Sequence, residues 1–167
     1  MNLKQILALF LFSFVFISCE KKSEEKKADT NYIYEATYLD TFKMGNSDLV
    51  LKVQQMHESI IKKDYESAGS FLADNVEFRL EDGSTIEGKE SCMKFMVEAY
   101  SAVEIEDYNV AVNLAVTGNN GDEWVLLWDN GSVVTADGTS SSFNWMESFQ
   151  FENGKIVMMN QFSKPRN

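Results

Sequence analysis

The sequence predicts an α+β domain in which about three N-terminal helices pack on one antiparallel sheet. In the first half, apolar residues recur every three or four positions, the spacing of an amphipathic helix. From Tyr108 onward they alternate with polar or smaller residues, the spacing of a half-buried strand, and turn dipeptides interrupt them. Helices followed by strands are typical of an α+β fold. Of the 167 residues, 44% are hydrophobic, which suffices for one buried core.

Three helices are expected, and each has a recognisable start. The first begins at Asn46-Ser47-Asp48, because short polar side chains cap helix N-termini. A short second helix is expected over Tyr65–Leu72, and a third follows Gly88. The apolar stripes of the first and third helices are Leu49, Val53, Met56 and Ile60, and Cys92, Phe95, Met96, Ala99 and Val103.

The strands follow from period-2 alternation between turn signals. Asn130-Gly131, Asp137-Gly138 and Asn153-Gly154 are turn dipeptides. The predicted strands are Val76–Glu81, Tyr108–Val116, Trp124–Trp128, Ser142–Phe151 and Lys155–Phe162.

The N-terminus predicts a lipid-anchored envelope protein. Residues 1–18 form a signal peptide whose apolar stretch is too short to span a bilayer. Ile17-Ser18-Cys19 resembles a bacterial lipobox, which implies lipidation of Cys19 and a membrane partner. Residues 19–31 then form a charged tether, and residues 32–167 form the domain, with an arm over 32–45. The expected location is the outer membrane, with the periplasmic and surface sides both open.

Composition excludes several classes of function. The formal net charge of −11 repels phosphate backbones, so a nucleic-acid partner is not expected. One histidine and two cysteines are too few for a structural zinc site, and no metal or cofactor is predicted. The sequence contains neither a Ser-His-Asp signature nor a glycine-rich phosphate loop.

Two residues are candidates for acid–base chemistry. On the strand 142–151, Glu147 shares its parity with Trp145 and Phe149, so its carboxylate points to the apolar side. His57 lies on the buried side of the first helix, and a His57–Glu147 pair could activate a water. The alternative for His57 is a satisfied core histidine. The alternatives for Glu147 are a carboxylate paired with a structural donor such as Gln161 or Trp128 and a carboxylate near the rim of the pocket.

An adaptable apolar cavity is the second expectation, with core packing as its alternative. Gln161 on the last strand is a plausible orienting group. The candidate ligand-pocket residues are Met56, Met96, Trp124, Trp128, Trp145, Met159 and Gln161.

From about Phe42 to Phe162 the chain resembles a SnoaL-like domain of the nuclear transport factor 2 superfamily. The resemblance depends on the long first helix and on three segments, Phe71-Leu72-Ala73-Asp74-Asn75, Ile86-Glu87-Gly88-Lys89 and Phe151-Glu152-Asn153-Gly154. The arm is similar to that of Bacteroidetes envelope homologues. The resemblance implies a cone-shaped roll of helices on a curved sheet, a pocket inside the cone and dimerisation through the sheet.

The resemblance leaves the activity open. Glu147 falls where the ketosteroid isomerase of this superfamily has an acid, but Met56 and Leu80 replace its tyrosine donor and its general base. Steroid isomerisation is therefore not expected. The first expectation is non-catalytic binding of a small apolar molecule in the cone. The alternatives are a cofactor-free lyase, isomerase or hydrolase using His57 and Glu147, and a protein-interaction module with a filled cone.

Overall fold

The computed structural model describes residues 33–34 and 42–166. The chain divides into two units, Met1–Glu35 and Ala36–Asn167. In the first unit the described residues are Ile33 and Tyr34, which form an exposed bend. The signal peptide, Cys19, the charged tether and most of the expected arm lie outside the described residues. Within the described part of the chain, no helix has the length and apolar character needed to cross a bilayer.

Residues 42–166, the described part of the second unit, form three helices and seven strands, as expected for an α+β fold. The elements in chain order are β1 (Phe42–Met44), α1 (Ser47–Ile61), α2 (Tyr65–Gly69), β2 (Leu72–Arg79), β3 (Thr85–Glu87), α3 (Lys89–Tyr100), β4 (Val103–Gly118), β5 (Glu123–Thr135), β6 (Ser140–Glu152) and β7 (Lys155–Pro165).

Helix α1 begins where the sequence predicts. The Asn46 side chain accepts a hydrogen bond from the Asp48 backbone N–H at 3.0 Å, which satisfies one of the free donors of the first turn. The helix buries the stripe Leu49, Val53 and Met56. Its Lys52 side chain donates to the carbonyl of Gly154 at 2.8 Å, which fastens the helix to the turn between β6 and β7.

Two helix boundaries differ from the prediction. Helix α2 ends at Gly69 rather than at Leu72, because Leu72 pairs with Ile156 as the first residue of β2. Helix α3 ends at Tyr100, so Val103 does not extend its apolar face. It opens β4 and pairs with Thr135. In both places backbone pairing with a distant strand overrides the local periodicity.

The strands form one curved, unclosed sheet in the order β1-β4-β5-β6-β7-β2-β3. Every pair is antiparallel except β2 with β7, which is parallel, so the prediction of a purely antiparallel sheet is wrong at that pair. Asn130-Gly131 is not a turn. It lies inside β5, which continues to Thr135 and pairs with β4 and β6 on either side. Asp137-Gly138 does form the following turn.

The core lies between the helices and one face of this sheet, and that face holds the candidate site. Alternate residues of β5 and β6 point inward, so Val125, Leu127, Phe149 and Phe151 are buried. The opposite face carries the intervening residues, among them the half-exposed Trp128.

Candidate active site

A cavity of about 60 Å³ lies between helices α1 and α3 and the inner face of the sheet. It is larger than one water needs, so it accommodates a few waters or a small ligand. Its wall is largely apolar, and the polar side chains in it cluster around His57. The lining residues are Met56, His57, Ile60, Ile61, Phe78, Phe95, Met96, Tyr100, Ile105, Tyr108, Asp129, Trp145, Glu147, Met159 and Gln161.

Both predicted acid–base residues line this cavity and form an ion pair there. The Nε2 atom of His57 lies 3.2 Å from Oε2 of Glu147, with 11% of the His57 side chain exposed and 4% of the Glu147 side chain. Gln161 donates to the other carboxylate oxygen, Oε1, at 2.9 Å. The suggested structural donor and the suggested catalytic partner therefore both contact Glu147, through different oxygens.

A second carboxylate, Asp129, reaches the same histidine through a tyrosine. The hydroxyl of Tyr108 donates to Oδ2 of Asp129 at 2.6 Å and lies 2.7 Å from Nδ1 of His57. Because the hydroxyl proton is used toward Asp129, Nδ1 carries a proton and donates to the tyrosine oxygen. The proton that can move therefore lies on the other side of the ring, between Nε2 and Glu147.

Asp129 and Tyr108 were not among the residues predicted from the sequence. A signal for Asp129 was present, because it follows Val125 and Leu127 at period 2 and so faces the core. Tyr108 opens the period-2 series predicted for β4, but register shifts before Tyr108 and after Val110 break that series, so the alternation does not assign it a face. Glu106 pairs with Ser132 and Asn109 with Asn130, so β4 holds one extra residue there, with Asp107 at φ 51°. Such a β-bulge shifts the inside–outside alternation along the strand.

Five of the seven candidate pocket residues line the cavity: Met56, Met96, Trp145, Met159 and Gln161. Trp124 and Trp128 do not. They lie on β5 at the parity opposite to Val125 and Leu127, so they occupy the outer face of the sheet, where Trp128 is 46% exposed. All three tryptophans were predicted to line the pocket because of their residue type, whereas strand parity separates Trp145 from the other two.

Electrostatics within the group favour a protonated histidine. Burial lowers the pKa of His57, but the adjacent Glu147, with a smaller contribution from Asp129, outweighs it and raises the pKa above its ordinary 6.5. Burial, together with repulsion from Glu147, raises the pKa of Asp129 to about 6. The Tyr108 hydrogen bond and the charge of His57 keep it from rising further.

The two phenols of the cavity are neutral at physiological pH. Burial and the hydrogen bond to Asp129 raise the pKa of Tyr108 far above its ordinary value. Burial, with the charge of Glu147, raises the pKa of Tyr100 to about 12. Tyr108 therefore acts as a hydrogen-bonding link and not as an acid.

The same group has the geometry of a possible metal site. His57, Asp129 and Glu147 each offer one ligand atom, and these atoms lie within 4.8 Å of one another. Nitrogen and carboxylate oxygens suit divalent transition metals. An ion there would have to take the place of the proton on His57, so proton and metal would compete for one site.

Similar structures share the fold at low sequence identity. An LEH-like epoxide hydrolase of M. tuberculosis is 14% identical, with a TM-score of 0.58 over 71% of this chain and 84% of that one. A candidate isomerase of Rhodopseudomonas palustris is 16% identical, with a TM-score of 0.59 over 72% and 92%. An NTF2-like protein of Burkholderia xenovorans is 14% identical, with a TM-score of 0.55 over 73% and 93%. At such identities the likeness establishes the fold alone.

Among curated protein sequences none matches this chain. The family model of the SnoaL-like domain matches residues 53–159, which include His57, Tyr108, Asp129 and Glu147. This match spans most of the domain, and the helices on a curved sheet agree with it. The chain therefore belongs to the SnoaL-like domain family.

Proposed function

We propose that the cavity is an acid–base catalytic site for a small, largely apolar molecule. The observation that carries the proposal is the buried contact between Nε2 of His57 and Oε2 of Glu147 at 3.2 Å. Burying charged groups costs free energy that an apolar core would not. A fold that keeps an imidazole and two carboxylates in an apolar cavity has a chemical use for them.

The arrangement suits reactions that move one proton away from carbon or onto oxygen. Glu147 is the general base, and the protonated His57 is the general acid at its Nε2 side. Asp129 acts through Tyr108 and holds the imidazole in one orientation. The reaction classes are an isomerase, a lyase or a hydrolase, and these residues need no cofactor for them.

A proton-exchange assay tests this proposal without knowledge of the substrate. Small ketones such as 3-methylbutan-2-one are incubated with the protein in D₂O, and loss of the α-proton signal is followed by NMR. We expect exchange above the buffer rate that Glu147→Gln and His57→Gln each reduce at least 100-fold. Glu98→Gln removes an exposed charge on α3 and serves as the control. Small epoxides and lactones extend the panel to hydrolysis.

Two results would contradict acid–base catalysis. One is turnover that Glu147→Gln leaves unchanged. The other is the absence of acceleration on ketones, epoxides and lactones alike. The second result would favour the other candidate, a binding module without catalysis, which is supported by the apolar wall of the cavity. Native mass spectrometry of the purified protein would then detect a bound ligand. A protein-interaction module with a filled cone is disfavoured by the cavity itself.

We propose further that the protein is a lipoprotein of the bacterial envelope, of the Bacteroidetes type and anchored to the outer membrane through Cys19. The support is the signal-peptide pattern of residues 1–18 and the lipobox-like Ile17-Ser18-Cys19. Cys19→Ser is expected to move the protein from the detergent phase to the aqueous phase in a Triton X-114 partition. Unchanged partitioning would contradict lipidation at Cys19.

We also propose a homodimer formed through the outer face of the sheet. Four apolar residues stand directly opposite one another across β4 to β7 and are between 37% and 61% exposed. The flanking residues Asn130 and Asn144 carry no charge, so two acidic chains can meet there without burying carboxylates. We call this row the outer ladder, and its members are Val112, Trp128, Met146 and Phe162.

A further inference from the structure

One carboxylate oxygen of the cavity has no hydrogen-bond donor, and a second has only its ion-pair contact with His57. Asp129 is 4% exposed, and its Oδ1 atom accepts no hydrogen bond although Oδ2 is paired with Tyr108. Oε2 of Glu147 has its contact with His57 but accepts no well-aligned hydrogen bond. Buried polar atoms are normally satisfied, so unsatisfied acceptors in a cavity indicate a ligand that brings donors.

The group of charged residues around the cavity is negative overall. Two carboxylates face one imidazole, so the group has an excess of negative charge even when His57 is protonated. Of the described residues that line the cavity, none is lysine or arginine. An anionic ligand would find no counter-charge, whereas a cation would complete the balance. The chain as a whole, at −11, attracts cations toward the site.

The side chains that line the cavity indicate the chemistry and the size of the remaining part of the ligand. Aromatic rings of Phe78, Phe95 and Trp145 line the cavity beside the carboxylates, together with methionine and isoleucine side chains. Aromatic faces attract organic cations, and the aliphatic residues favour a hydrocarbon body. A volume of about 60 Å³ limits the enclosed part to a few non-hydrogen atoms.

We infer that the ligand of this cavity is a small primary or secondary ammonium compound with a short apolar body. Its N–H groups donate to Oδ1 of Asp129 and Oε2 of Glu147, and its hydrocarbon part contacts the aromatic wall. This inference deepens the proposed function, because it rests on the cavity being the working site and names the class of substrate. Hydrogen bonds from an ammonium to a carboxylate are charge-assisted, so they are stronger than those from a neutral alcohol.

The test uses four probes of similar size on the untagged purified protein. They are isobutylammonium, its neutral analogue 2-methylpropan-1-ol, the anion isobutyrate, and tetramethylammonium, a cation without N–H donors. His57 is the sole histidine of the sequence, so its ring C–H signals report on the cavity without assignment ambiguity. Titration at neutral pH, followed by NMR, gives a dissociation constant for each probe.

We expect isobutylammonium to bind saturably and at least tenfold more tightly than the alcohol, with tetramethylammonium weaker than isobutylammonium and isobutyrate without effect. Asp129→Asn is expected to weaken ammonium binding at least tenfold. Glu98→Gln removes the same charge from the surface and should leave it unchanged. Because the probe series is measured on the wild-type chain, a variant that fails to fold does not compromise the test.

Three results would overturn the inference. The alcohol or isobutyrate could bind as tightly as isobutylammonium, tetramethylammonium could match it, or Zn²⁺ could perturb His57 while every ammonium probe leaves it unchanged. Turnover on neutral ketones without ammonium binding would refute this inference and leave acid–base catalysis standing. Ammonium binding without any turnover would support this inference and contradict acid–base catalysis.

Discussion

His57 is held between two carboxylates by two different kinds of contact. Toward Glu147 it forms a direct ion pair at 3.2 Å, and toward Asp129 it is connected through the hydroxyl of Tyr108. The second connection determines which nitrogen keeps its proton. Tyr108 therefore determines which nitrogen of His57 is protonated, although Tyr108 itself does not ionise.

Removing the Tyr108 hydroxyl tests that connection. We expect Tyr108→Phe to lower the free energy of unfolding by about 1–3 kcal/mol, because a buried carboxylate oxygen loses its donor. Tyr65→Phe is a matched control, since the Tyr65 hydroxyl is buried and has no hydrogen-bond partner, so its removal should be neutral or stabilising. Urea denaturation measures both variants. Equal losses in the two would argue against the Tyr108 link.

The pKa of Asp129 predicts how stability depends on pH. A carboxyl whose pKa rises from 3.8 to about 6 on folding contributes stability that is complete below 3.8 and is lost as the pH rises through 6. The raised pKa of His57 acts in the same direction, with its contribution complete below 6.5 and lost as the pH rises through the folded value. We therefore expect the wild-type chain to lose stability as the pH rises from about 4 through 6, and further as it rises above 6.5.

Replacing Asp129 isolates its share of this effect. At pH 7.5 Asp129→Asn is expected to be more stable than wild type by about 1–3 kcal/mol, given about 1.4 kcal/mol per pKa unit. The gain should shrink toward pH 4.5, where the wild-type carboxyl is protonated. Thermal unfolding at the two pH values measures it, with Glu98→Gln as the surface control. A variant less stable than wild type at pH 7.5 would contradict the raised pKa.

At the scale of elements, strand β4 decides the shape of the site. Its bulge at Asp107 directs Tyr108 inward, and the neighbouring strand β5 accommodates the bulge by having a glycine opposite. A Cβ on Gly131 would lie 3.1 Å from the carbonyl oxygen of Glu106 and 3.3 Å from the ring of Trp145. Gly131 of the dipeptide Asn130-Gly131 thus allows β4 and β5 to approach closely, and the dipeptide does not form a turn.

Gly131→Ala is expected to destabilise the fold by about 1–3 kcal/mol, because the backbone of β4 cannot yield as a flexible side chain would. It should also shift the ring signals of His57, since the bulge carries Tyr108. Ser132→Ala, a change at the next residue, whose hydroxyl contacts Ser142, is the control and should cost less. Chemical denaturation and NMR measure the two effects. If Gly131→Ala changes neither the stability nor the ring signals of His57, then β4 and β5 do not need a glycine at this position.

At the scale of the whole molecule, the two faces of the sheet differ in what they present. The inner face lines the cavity, and the outer face carries the outer ladder. Met146 lies on β6 between Trp145 and Glu147 of the site but points to the other side. Dimerisation through the outer ladder would therefore leave the inner face of each sheet uncovered.

Met146→Lys tests the proposed dimer. We expect the wild-type protein to have the mass of a dimer by light scattering, and the variant to have the mass of a monomer, because a lysine in the centre of the outer ladder would bury its charge. Leu51→Lys introduces the same side chain at an exposed position of α1 and should leave the dimer intact. A monomeric wild type would refute the proposal.

Local patterns were sufficient for the parts of the fold that depend on nearest neighbours. The cap at Asn46, the stripe of α1 and the hairpin of β6 and β7 follow from helical spacing, period-2 alternation and a turn dipeptide. Strand parity predicted Glu147 on the inner face, and helical spacing predicted His57 on the buried side of α1. These features depend on which face a residue occupies, and sequence periodicity encodes that face directly.

Long-range pairing decided what the periodicity could not. The parallel pair of β2 and β7, the end of α2 before Leu72 and the continuation of β5 through Gly131 each depend on hydrogen bonds to residues distant in sequence. The partnership of Tyr108 with Asp129 depends on a bulge that inverts the strand alternation. The sequence alone predicted the fold class and brought His57 and Glu147 forward as a pair. The tertiary structure added Asp129 and Tyr108 to them, because a one-residue shift in register changes which side chains meet.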